Sequence, residues 1–207
     1  KVLKKPGAMI DVTKDKLTVS GREVEFRGIK GHTYLMLNKP VGYISTAADT
    51  HNRRTILELV PKIDGIFTVG RLDKDTTGVI LITSDGELAH RLMHPSYEID
   101  KVYEVFISRC LSDKDITALK HGVDIKEERP SVCDILECKR SISSTIILLK
   151  IHEGRKRQIR RTFESLGYSV TSLKRVSYGG IKLDLKEGEY RHLKAEEVKY
   201  LKEQVKL

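Results

Sequence analysis

Cysteine is scarce, with three in 207 residues. An odd, low number excludes a disulfide framework. Cys133 and Cys138 stand five apart in a strand-like stretch, so alternation predicts opposite faces and a poor metal geometry. No Cys or His pair has finger-like spacing. The thiols read as buried or idle groups of a reducing cytoplasm. Long apolar runs are missing as well. VILI at 79–82 and IILL at 146–149 fall far short of a spanning helix, which excludes a membrane protein. No secretory leader opens the sequence, and no repeat or low-complexity stretch interrupts it. The chain opens on Lys1 rather than methionine, as expected of a fragment or trimmed chain.

Positive charge is abundant. Lys and Arg number 38 against 29 Asp and Glu, a formal charge of +9, with a pI of about 9.4. Such a balance suggests a polyanionic partner where the basic residues cluster. They do so in HEGRKRQIRR at 152–161, where Arg155, Lys156, Arg157, Arg160 and Arg161 crowd a predicted helix start. Free backbone N–H groups there also favour phosphate. A solvated helix face is the plain alternative, but like charges at this density cost stability unless an anion offsets them.

The first 32 residues carry eight Lys or Arg against four acids, and LTV at 17–19 with EVEF at 23–26 predicts a small hairpin. Alone this piece buries no core. The main body, from residue 33, alternates short strands with few helices, which predicts an α+β fold with a mixed, largely antiparallel sheet flanked by helices. TYLMLNKPVGYIS predicts strand, turn and second strand, and IFTVG at 66–70 another strand. VILIT at 79–83 predicts a strand covered on both faces. Ser84 with Glu87 reads as a capping box before a helix stopped by Pro95. Residues 99–107 form a strand in which Lys101 and Tyr103 share a face. Ser112 and Gly122 bound a second helix, and VCDILECK and STIILLKIHE pair antiparallel. A third helix runs from about Lys156 to Leu166 on Ile159, Phe163 and Leu166. LKEGEYRHL closes the sheet, and a last helix uses Val198, Leu201 and Val205.

A second place for chemistry is GRLDKDTTG at 70–78, where Asp73 and Asp75 sit beside Arg71 in a loop between apolar strands. It has no glycine-rich phosphate cradle and too few carboxylates for a divalent metal. By composition alone, a turn whose acids cap backbone N–H groups is favoured. His90 and His94, four apart on the first helix, form a possible metal pair without an evident third ligand. Packing or RNA contact suits them better.

The run GRLDKDTTGVILITSDGELAHRLMHPSYEIDKVYEV resembles the central motif of the pseudouridine synthases, in the branch of the bacterial ribosomal RNA enzymes RsuA and RluB. YLMLNKPVGYIS before it, and IHEGRKRQIRRTFESLGYSVTSLKRVSYGGIKL and LKEGEYRHLKAEEV after it, extend the resemblance over 33–207. Residues 1–32 are similar to the tail of the small RNA-binding module that precedes this catalytic domain. The resemblance implies isomerisation of a uridine to pseudouridine in ribosomal RNA, with no cofactor and no metal. GELAHRLMHPSYE and GRKRQIRR lean toward the large-subunit members.

It further implies that Asp73 is the catalytic aspartate, that Tyr103 stacks on the flipped uracil, and that Arg160 of the QIR motif compensates Asp73 in a buried pair. Lys39, Arg71, Lys101, Arg155, Lys156, Arg157 and Arg161 are the candidate RNA-binding residues, with Asn38 at a further matching position. Asp75 is expected to order the loop. The expected partner is ribosomal RNA or a subunit assembly intermediate, met in the cytoplasm by a monomer. A noncatalytic assembly factor and a metal-dependent nuclease using Asp73 and Asp75 are the rival readings.

Overall fold

The computed structural model describes residues 17–19, 22–24, 31–46 and 53–207. These fall into two compact units that divide between His32 and Thr33. In the first, β1 (Leu17–Val19) pairs antiparallel with β2 (Arg22–Val24), so the predicted hairpin forms. Its turn and Glu25–Phe26 lie outside the described residues.

The second unit is one nine-stranded sheet. Its strands are β3 (Tyr34–Lys39), β4 (Phe67–Val69), β5 (Thr77–Thr83), β6 (Lys101–Ile107), β7 (Asp134–Arg140), β8 (Thr145–Ile151), β9 (Val170–Tyr178), β10 (Ile181–Lys182) and β11 (Tyr190–His192). The order is β11-β3-β5-β9-β6-β8-β7, with β4 beside β5 and β10 beside β9. Every pairing is antiparallel except β5–β9. The α+β fold with a mixed, largely antiparallel sheet is as the sequence predicts.

β5 is buried along nearly its whole length because it serves two cores. Ile80 and Ile82 face one side with Leu35 and Leu37 of β3, while Val79 and Leu81 face the other with Met36. The first core is closed by α2 (Asp113–His121) through Leu119 and by α3 (Gln158–Ser165) through Ile159 and Phe163. The second is closed by α1 (Gly86–Met93) through Leu88 and Leu92, and by α4 (Ala195–Gln204) through Leu201, with Val205 just beyond its end. Each such aliphatic side chain is worth about 1.5–3 kcal/mol when fully buried.

Four local expectations need correction. The cap of α1 is Asp85, whose carboxylate accepts from the Leu88 N–H at 3.0 Å. Ser84 Oγ instead accepts from the Thr33 N–H, so the cap sits one residue later than the capping-box pattern places it. No strand forms at GYIS, because Ile44 makes only an isolated bridge to Thr55. α3 begins at Gln158 rather than near Lys156, since Arg157 takes a left-handed φ of 50°. Cys133 and Cys138 face the same core. A bulge between Ile135 and Glu137 adds one residue and reverses the alternation.

The two halves of the sheet meet where β5 runs parallel to β9, through only Thr77↔Lys174 and Gly78↔Arg175. Gly78 has φ +106°, and a Cβ there would lie 2.1 Å from the Arg175 carbonyl oxygen. Only glycine fits both the angle and the approach. Gly78→Ala is therefore expected to lose about 3 kcal/mol or more, the upper range for a point change. A shift of the urea midpoint relative to the unchanged chain measures it.

Candidate active site

The loop from Gly70 to Thr76 joins β4 to β5 and is held almost entirely through its backbone. Ser45 Oγ accepts from the Leu72 N–H at 3.1 Å and donates to the Leu72 carbonyl at 3.0 Å. Leu72 itself is buried in the first core. The Thr76 N–H closes a turn on the Asp73 carbonyl, and the Gly42 N–H reaches the Lys74 carbonyl. Asp73, half-buried between these anchors, makes no side-chain hydrogen bond or ion pair among the described residues. Its backbone is anchored, and its carboxylate engages no other side chain among the described residues.

The expected Asp73–Arg160 pair does not form. Arg160 is buried, but its guanidinium donates to the carbonyls of Val170 at 2.8 Å and Asp75 at 3.0 Å. Its Nε lies 3.2 Å from the Asp75 carboxylate. Arg157 reaches the same carboxylate from outside at 3.3 Å. Asp75 is the neutralised acid, and it ties the loop to α3. The QIR arginine thus acts on the residue two places after the one the sequence suggests, because the turn at Asp73–Thr76 brings Asp75, not Asp73, toward β9 and α3.

Lys39 is also corrected. It is fully buried, out of reach of any phosphate. Its ammonium donates to the carbonyls of Pro40 at 2.9 Å, Thr76 at 2.8 Å and Lys74 at 3.3 Å, so it braces the Asp73 loop from beneath. Burial pushes its pKa down to about 8, against the attraction of Asp75 and Asp73. Asn38, beside it, donates to the Leu185 carbonyl at 2.9 Å.

The basic cluster at the start of α3 divides in two. Arg155 pairs with Glu153 at 2.6 Å and Glu127 at 3.3 Å, and it caps the carbonyls of Arg129 and Pro130. Arg161 pairs with Glu127 and donates to the Ile125 carbonyl. These two arginines hold Glu127 below the usual carboxylate range. They staple the 125–130 segment to the helix rather than standing free for RNA, since acids distant in sequence supply the missing anions. Lys156 is exposed and makes no ion pair among the described residues, which leaves it with Arg71 as the open cations.

β6 brings Lys101 and Tyr103 to one face as its alternation requires, against β9. Lys101 donates to the Ile99 and His152 carbonyls, both at 2.9 Å. Burial, reinforced by the positive charge of Arg175, pushes its pKa down to about 8. A cavity of about 690 Å³ opens here, with Arg71, Lys101, His94, Arg175 and Tyr178 in its wall. Asp73 and Tyr103 are not wall residues, but the residues two places before each of them are.

Arg175 is the member that sequence reasoning missed. It is almost fully buried, with Nε on the Val79 carbonyl at 2.7 Å and a terminal nitrogen 3.4 Å from the Tyr103 hydroxyl. Its guanidinium carbon lies 4.9 Å from the Tyr178 ring centre. The available signal was phase, because Arg175 stands two residues after the buried Leu173 of β9, paired across to Tyr103 as Leu173 is to Val105. His90 and His94 place their rings 5.7 Å apart, and no group of three metal-binding side chains occurs among the described residues.

With this geometry in hand, the comparisons are consistent with one another. The sequence model of RNA pseudouridylate synthases matches residues 33–165. The chain is 38% identical over 192 residues to ribosomal large subunit pseudouridine synthase B of Bacillus subtilis (strain 168), covering 91% of this chain and 78% of that one. It is 36% identical over 182 residues to ribosomal small subunit pseudouridine synthase A of Vibrio vulnificus (strain CMCP6), covering 86% and 76%. A crystal structure of a pseudouridylate synthase superposes with a TM-score of 0.76 at 28% identity, covering 97% of this chain and 86% of that one.

The two buried lysines give a pH signature. Their folded pKa values lie below the ordinary lysine value, so between about pH 8 and 10 these two groups hold more protons in the unfolded chain than in the native one, and their contribution to stability rises with pH. Burial raises the Cys133 thiol to about 11, which acts in the opposite direction. Lys39→Met should therefore make the slope of the urea midpoint between about pH 8 and 10 less positive than in the unchanged chain. An unchanged slope in the variant would exclude Lys39 as a contributor.

Proposed function

Because the chain belongs to the RNA pseudouridylate synthase family, in the branch of the ribosomal RNA enzymes, we propose that it converts a uridine of large-subunit ribosomal RNA to pseudouridine with Asp73 as its catalytic residue. The observation that carries this reading is Asp73 itself, a half-buried carboxylate whose backbone is anchored on both sides and whose oxygens engage no other side chain among the described residues. The loop's own cation requirement is met at Asp75, through Arg160 and Arg157, so Asp73 is available for substrate. The leaning toward the large subunit rests on GELAHRLMHPSYE and GRKRQIRR, and on the 38% identity to the large-subunit relative.

The reaction breaks the N1–C1′ bond, turns the uracil and rejoins it through C5, so that no atom enters or leaves. Asp73 acts in its ionised form, either attacking C1′ or removing the 2′-proton. The base must leave its stack to be reached. The cavity beside β6 suits a flipped nucleoside in size, and Arg71 and Lys156 are the exposed cations for the RNA backbone. Tyr103 supplies a ring for stacking and a hydroxyl for proton removal from C5. Residues 1–32 are read as the end of a small RNA-binding module. The partner is ribosomal RNA, free or in an assembly intermediate, and the enzyme is read as a cytoplasmic monomer. Among the described residues no helix is long and apolar enough to cross a membrane.

Asp73→Asn keeps the shape of the side chain and removes its charge. The variant should fold and bind RNA yet release no tritium from ribosomal RNA labelled at uridine C5, and clean turnover by it would overturn the assignment. Comparing pseudouridine maps of both ribosomal subunits, with and without the protein, should show one site missing from the large-subunit RNA. A site missing from the small-subunit RNA would move the substrate without changing the chemistry.

A further inference from the structure

Arg175 poses a problem of charge. A fully buried arginine is normally paired with an acid, yet no carboxylate forms an ion pair with Arg175 among the described residues. Its second terminal nitrogen is buried without a hydrogen-bond partner. Among the described residues the one side-chain acceptor it has is the Tyr103 hydroxyl oxygen, at 3.4 Å. The guanidinium is also fixed in position. Nε is held on the Val79 carbonyl at 2.7 Å, one residue beyond the Gly78 contact with the Arg175 backbone, and the Tyr178 and Tyr103 rings lie 4.9 and 6.0 Å from its central carbon.

A guanidinium only donates, so the tyrosine oxygen is the acceptor and its own proton is directed elsewhere.

We propose that Arg175 is a positioning residue that orients the Tyr103 hydroxyl for removal of the proton from C5 of the rearranged uracil. This rests on the pseudouridine reading above. In the step, the C5–H bond breaks and its proton passes to the Tyr103 oxygen, which has released its own proton to water. The electron pair stays in the ring and restores the uracil. Tyr103 is the catalytic group, and Arg175 touches the substrate only through it.

The test is single-turnover pseudouridine formation on ribosomal RNA carrying either hydrogen or deuterium at uridine C5, using the whole chain. Arg175→Met should slow the reaction by about a hundredfold, the scale of one lost acid–base contribution, and should reveal a deuterium effect larger than that of the unchanged enzyme. Arg175→Lys keeps the charge and should recover part of the rate. In a Tyr103→Phe background, Arg175→Met should cost little more, because the hydroxyl it serves is gone.

An equal loss in both backgrounds, or a slowed reaction with an unaltered deuterium effect, would overturn the proposal. If Arg175→Met does not fold, the same double comparison is made with Arg175→Lys. Tritium release by the unchanged enzyme separates the two readings. Without it the pseudouridine assignment itself fails, whereas with it only the role of Arg175 is at stake.

Discussion

The architecture depends on one close approach, that of the Gly78 backbone to the Arg175 backbone. β3, β4, β5 and β11 form one half of the sheet, β6, β7, β8, β9 and β10 the other, and two residue pairs join their strands. A side chain at residue 78 would push the halves apart. Because they meet there, the strand after the Asp73 loop lies beside the strand that carries Arg175, and the latter lies beside the strand that carries Tyr103. Three segments distant in sequence are brought side by side at this single junction.

Around the junction the protein spends its cations on carbonyl oxygens more than on carboxylates. Lys39 takes three backbone carbonyls, Lys101 two, Arg160 two, and Arg175 the carbonyl of Val79. These bonds fix loop backbones without consuming acids, which is how a half-buried Asp73 keeps its carboxylate unengaged. The arrangement is also costly, since buried ammonium groups are held below their ordinary pKa. Conversely, the exposed-looking arginines of 155–161 prove to be structural where Glu127 and Glu153 reach them.

Patterns of period two and 3.6 made most of the strands and all four helices of the main body legible, because β5, β6 and β8 bury alternating or continuous aliphatic faces that composition alone announces. The pairing partners of charged groups were not legible. Which of Asp73 and Asp75 meets Arg160 depends on the direction of a turn, and whether Lys39 or Arg155 faces solvent depends on segments far away in sequence. The thiols show the same limit, since one bulge at Leu136 cancels the alternation between Cys133 and Cys138. Arg175 was readable only as an oddity, a charged residue in the apolar phase of a strand. Its partners come from β5 and β6.

The β5–β9 junction also sets an order of events during folding. β5 is made early in synthesis, but its parallel partner lies nearly half the chain further on, and such non-local pairing is slow to form. Consecutive antiparallel pairs such as β4–β5 and β7–β8 can assemble as they leave the ribosome, whereas the junction must wait for β9. Until then the first residues of that β5 edge, which β4 does not cover, keep unpaired backbone groups that are a potential site of mispairing. The cavity wall that Arg175 and Tyr178 supply is thus among the last features to appear, and a chain truncated before β9 would lack it.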